Sequence, residues 1–110
     1  MYLEIVTNRQ ALKLRKLGFD YPTQLFYDYD GFLRDKDTGL PAPTQAIALQ
    51  WMREKYDKFS AGINVVETAG KVFYQPRLLK HSKQIQVEYS TDYIDAEYNL
   101  LEAFLNEAER

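Results

Sequence analysis

The sequence predicts an α+β fold: an antiparallel sheet of about four to five short strands with three helices packed on it, in a single domain spanning 1–110. Three observations carry this expectation. Stretches around 8–17, 44–58 and 91–109 repeat apolar residues at helical spacing. Runs rich in β-branched and aromatic residues lie between them, punctuated by turn residues. These runs neighbour one another and do not alternate one by one with helices, as a parallel βαβ sheet would require. The resulting order is helix, hairpin, helix, three strands, helix.

The first helix is read over 8–17, because Thr7-Asn8-Arg9-Gln10 has the form of a capping box and Gly18 supplies a left-handed stop. Ala11, Leu14 and Leu17 share one face, and Arg9, Lys13 and Lys16 form a basic stripe on the other. Gln24 to Tyr29 reads as a strand turning at Asp30-Gly31 into a brief return near Phe32-Leu33. Pro41, Pro43 and the glycines then make the rest of 31–43 a loop. Thr44 caps a second helix to about Lys58, with Leu49, Met52, Tyr56 and Phe59 inward, Trp51 beside them, and Arg53 outward. Ile63–Glu67 and Lys71–Tyr74 flank Ala69-Gly70 as a hairpin, and Ile85–Tyr89 alternates as a third strand. Ser90 or Thr91 starts the last helix, to about Glu109, with Tyr93, Ile94, Tyr98, Leu101 and Phe104 on its apolar face.

Composition excludes several chemistries. With no cysteine in 110 residues there is no disulfide, no thiolate nucleophile and no cysteine-ligated metal. The one histidine, His81, rules out a histidine cluster, and no glycine-rich phosphate loop exists. No apolar run is long enough to span a bilayer, and the start lacks the pattern of a signal peptide, so no membrane association and a cytoplasmic location are expected. The net charge of −2 gives no bulk attraction to nucleic acid, yet the cations cluster: Arg9, Lys13 and Lys16 in one segment, Arg77, Lys80, His81 and Lys83 in another. These residues are the candidates for anion or nucleic-acid contact, against the plainer reading of solvated faces.

Nine tyrosines help to raise aromatics to 15%, and tyrosine serves both as core filler and as interface residue. Tyr27 and Tyr29, expected on one strand face, are the candidate aromatic contacts. Asp28, Asp30, Asp35 and Asp37 invite a calcium reading, but their spacing fails the EF-hand pattern and turn formation accounts for them, so no metal or other cofactor is expected. Glu97 is the sharpest anomaly. It falls near the middle of the last helix's apolar face, where a carboxylate must find a donor, shift its pKa upward or reach water, and it is the candidate functional carboxylate.

Ala11–Asp20, Ala42-Pro43-Thr44-Gln45, Trp51-Met52-Arg53-Glu54-Lys55-Tyr56 and Tyr89-Ser90-Thr91 with Ala96-Glu97 resemble a group of small proteins encoded by phages and prophages of Bacteroides-type bacteria. The similarity runs from about residue 11 into the final helix, and the tryptophan-centred segment is its most specific part. The stretch from Asp35 to Leu40 is longer here than the group's pattern. That group has no assigned activity, so the resemblance implies a viral accessory setting and carries over no catalytic residue. The missing catalytic motifs, small size and tyrosine content point to a non-enzymatic domain that binds another protein or self-associates. Two alternatives stand beside it: a nucleic-acid or nucleotide binder using the basic segments with tyrosine stacking, and a small enzyme using Glu97 with a tyrosine.

Overall fold

A computed structural model describes residues 4–35 and 39–109, and the fold is α+β, with three helices and two antiparallel sheets of three strands each. The chain falls into two compact units, the first up to Trp51 and the second from Met52.

The first unit opens with α1, Asn8–Lys16. The Thr7 side chain accepts from the Gln10 N–H, and Gln10 Oε1 accepts from the Thr7 N–H, which is the reciprocal cap expected. At the other end Phe19 N–H donates to the Leu14 carbonyl and Gly18 N–H to that of Arg15. This is a Schellman stop, and Gly18 at φ +96° makes it possible. Strands β1 (Phe26–Tyr27), β2 (Leu33–Arg34) and β3 (Leu40–Pro41) follow, ordered β2-β1-β3.

Two expectations are corrected here. The first strand ends at Tyr27, because the Asp28 carboxylate accepts from the Asp30 and Phe32 N–H groups and bends the chain. Tyr29 therefore lies in the turn and does not share a strand face with Tyr27. Leu40–Pro41, expected as loop, pairs with β1 as a third strand; the prolines that argued for a loop are tolerated at the edge of so short a sheet. Gly39, at φ +107°, adjoins it so closely that an added Cβ would collide with the Tyr27 carbonyl.

Helix α2, Gln45–Lys55, is capped by Thr44, whose hydroxyl accepts from the Ile47 N–H. It stops three residues short of the expected Lys58. Phe59, expected on the helical face, is instead the first residue of β4, where it pairs with Lys80. Trp51 is buried in the first unit, with its Nε1 donating to Asp20 Oδ1 at 3.0 Å and its ring edge-on to Phe19.

In the second unit β4 (Phe59–Thr68), β5 (Lys71–Lys80) and β6 (Lys83–Ile85) form a meander in chain order. The expected single sheet of short strands is therefore corrected to two sheets, and β4 and β5, read as five and four residues, each run ten and pair one for one. Both connections are two-residue turns with both central residues at positive φ: Ala69-Gly70 and His81-Ser82. The third strand was expected at 85–89 but lies at 83–85. Pro76 of β5 stands opposite the place where pairing would continue and has no N–H to donate, so the ladder lapses and resumes one residue out of step at the Tyr74–Ser90 bridge.

The last helix, α3 (Tyr93–Ala108), is capped by Asp92, whose carboxylate accepts from the Ile94 N–H, so its start lies just beyond the expected Ser90 or Thr91. It packs on β4 and β5 through Ala96, Leu100, Leu101, Phe104 and Leu105, all buried, with the Phe104 ring 4.9 Å from that of Phe59. Tyr93 and Tyr98, expected on this apolar face, are exposed, because they flank the packed stripe.

Candidate interaction site

Side chains of β4 and β5 alternate between two faces of the sheet. One face carries Phe59, Ala61, Ile63, Val65 and Glu67, opposite Lys80, Leu78, Pro76, Tyr74 and Val72. Its first half is covered by α3, beginning with the Phe59–Phe104 contact. Toward the Ala69-Gly70 turn the cover ends. Val65 is 67% exposed and Val72 43%, on either side of Tyr74, against which the exposed Tyr93 rests edge-on at 5.5 Å. Three exposed apolar or aromatic side chains, Val65, Val72 and Tyr93, thus gather around the half-buried Tyr74, the arrangement that marks interaction surfaces.

The border of this patch is the outer edge of β4. Tyr74 directs both its N–H and its carbonyl to Ser90, away from β4. In a one-for-one antiparallel ladder its opposite residue, Val65, therefore directs both groups away from β5, as do Ile63 and Glu67 two residues either side. Ala61 has the same parity, and its carbonyl accepts from Arg53 Nε at 3.1 Å. Among the described residues nothing bonds the outward groups of Ile63, Val65 and Glu67, which leaves an open strand edge.

Glu97 sits on the buried face of α3 with 6% of its surface accessible. Desolvation pushes its pKa above the usual carboxylate range, and the Arg53 charge opposes the rise. Among the described residues no hydrogen bond reaches its carboxylate. Its helical-wheel position was legible in the sequence; its cationic neighbour was not. That neighbour, Arg53, was expected to face outward and is exposed, and its Nε donates to the Ala61 carbonyl.

The basic candidates are distributed. Arg9, Lys13 and Lys16 lie on α1 in the first unit. In the second, Lys80, His81 and Lys83 gather around one turn and line a cleft with Ile85 and Glu107, while Arg77, three residues from Lys80, is on the opposite face of the sheet. Tyr27 is half-buried and donates its hydroxyl to the Val6 carbonyl at 2.6 Å, whereas Tyr29 stands fully in water. The Asp28 carboxylate is held below its ordinary range by the Phe32 N–H and then by the Arg34 guanidinium at 3.0 Å. Among the described residues no group of three metal-ligating side chains comes together; Asp37 lies outside them. No described helix is long and apolar enough to cross a membrane.

The apolar cluster at Val65 and the open edge of β4 were missed by the sequence reading; the alternation of Ile63, Val65 and Glu67 was visible, but which strand would lie at the sheet's edge was not. Compared with known proteins, the chain matches no family model, and no curated protein and no solved structure matches it.

Proposed function

We propose that this chain is a non-enzymatic binding domain that acts by associating with another macromolecule or with itself, in the phage or prophage setting that its resemblance implies. The observation that carries the reading is the coincidence, in the second unit, of an exposed apolar cluster with unpaired backbone along the adjoining strand edge. An edge offers directional hydrogen bonds, and the cluster beside it offers area to remove from water, which together are the elements of β-strand addition. Glu97 fits a structural reading, since a carboxylate on a helix face packed against a sheet has little room for substrate. A second reading, phosphate contact, draws on Lys80, His81 and Lys83 around one turn, although Glu107 shares their cleft and weakens its pull on an anion.

The test is sedimentation of labelled wild type and of the Val72→Lys/Tyr93→Lys variant, each purified and in host-cell extract. Both substituted side chains are exposed, so the fold should survive, which circular dichroism checks. The wild type is expected to sediment faster than a monomer in at least one condition, and the variant to revert to monomer. A wild type that is monomeric throughout contradicts the proposal, as does a variant that associates equally well.

A further inference from the structure

We propose that the open edge of β4 pairs antiparallel with the same edge of a second copy of this chain, across a two-fold axis that sets Asn64 against Asn64. This inference rests on the binding reading above and names the partner.

The edge lacks the usual protections against such pairing. Over Phe59–Thr68 it has no proline, no lysine and no bulge, and although the outward groups of Phe59 and Ala61 are taken by Tyr56 and Arg53, the run from Ile63 to Glu67 is uninterrupted. Its outward hydrogen-bonding groups belong to Ile63, Val65 and Glu67, with Ala61 at the end nearest Arg53.

The sequence is self-complementary in one register. With Asn64 on the axis, Ile63 faces Val65 of the second copy and Val65 faces its Ile63, so the most exposed valine of the patch meets an apolar partner in both copies. Glu67 then faces Ala61 of the second copy, a small residue whose carbonyl already holds the Arg53 guanidinium. That guanidinium also acts on Glu97 of α3, so it lies toward the face on which Glu67 projects, and the carboxylate meets a cation in each half of the dimer. On the opposite face Asn64 meets its own copy in a non-hydrogen-bonded pair, where side chains approach most closely and two primary amides are mutually donor and acceptor. Shifting the register to centre on Val65 still pairs valine with valine, but it sets Glu67 against Ile63, away from Ala61 and Arg53, and sets Asn64 against Val66. Because directly opposed residues share a face, the Val65, Val72 and Tyr93 clusters of the two copies adjoin on one side of the joined sheet.

Sedimentation velocity of the purified chain over a wide concentration range tests the pairing, with two variants. Val65→Pro removes an N–H that points away from β5, so the internal ladder keeps its bonds while the edge loses its central donor. Glu67→Lys sets like charges together and touches no ladder bond. The wild type is expected to dimerise, Val65→Pro to sediment as a monomer, and Glu67→Lys to dimerise with a roughly tenfold higher dissociation constant. If Val65→Pro does not fold, Glu67→Lys decides. A wild type that stays monomeric at every concentration overturns the pairing, as does a dimer that both variants leave unchanged. A purified monomer that still enters a larger species in extract, through Val72 and Tyr93, overturns the self-pairing alone and leaves the binding reading standing.

Discussion

Glu97 and Trp51 are the side chains whose surroundings make the most specific demands. Glu97 is desolvated among Ala96, Leu100 and Leu101, and its pKa is raised from the ordinary value of 4.5, so folding binds a proton more tightly than the unfolded chain does. Its favourable contribution is complete below about pH 4.5 and is lost as pH rises through the folded pKa. Glu97→Gln should therefore stabilise the fold at neutral pH, by on the order of 1 kcal/mol, with the gain vanishing in acid. Urea denaturation of both proteins at neutral and acid pH reads this directly. An advantage that is equal at both pH values would exclude the carboxylate's charge as its source. Trp51 offers a contrast in which packing and a polar tip act together: the ring is buried against Phe19, and its N–H is bonded to Asp20. Trp51→Ala should cost about 3–5 kcal/mol and Trp51→Phe less, because the ring volume is largely kept. Denaturation midpoints that leave Trp51→Ala close to wild type would make the residue an interface anchor instead.

At the scale of elements, the turn between β5 and β6 stores strain. His81 and Ser82 have φ of +51° and +68°, and neither is a glycine, although left-handed backbone costs such residues roughly 1–2 kcal/mol each. Ser82→Gly should stabilise the second unit by about 1 kcal/mol, measured as a rise in denaturation midpoint. A loss of stability would mean that the Ser82 side chain contributes more than the strain removes. The elements also divide by how much of them was legible. α1 was readable to within a residue because both of its ends are local chemistry, a capping box and a glycine stop. α3 was readable because its buried stripe from Ala96 to Leu105 keeps helical spacing over roughly three turns. The strands were not, for reasons that lie outside any one strand. β3 was hidden because Pro41 argues against pairing, and the bonds that Pro41 lacks are not needed at that edge. β4 was read at half length because Phe59 also fits the period of α2, and only the partner strand β5 decides between helix and sheet. The early end of β6 is set by Pro76 on the neighbouring strand.

For the molecule as a whole, the sequence separates what is common to all small α+β domains from what is particular to this one only in part. Glu97 was legible as an apolar-face carboxylate. The open edge was not: the hairpin and third strand already read as a meander with β5 in the middle, but that the first strands would form a sheet of their own, leaving β4 without a second neighbour, depends on pairing that no single run encodes. The proposed function resides in that arrangement: Val65, Val72 and Tyr93 are unremarkable residues until α3, beginning at Tyr93, leaves Val65 and Val72 uncovered and the outer edge of β4 has no partner strand. The measurement that bears most directly on this claim is amide hydrogen exchange along β4, compared between dilute protein and protein that is concentrated or held in host-cell extract. Exchange at Ile63, Val65 and Glu67 should slow markedly when a partner is present, while Asn64 and Val66, already bonded to β5, should change little. Exchange that is unaltered at all three outward amides in every condition, with association still occurring, would contradict it.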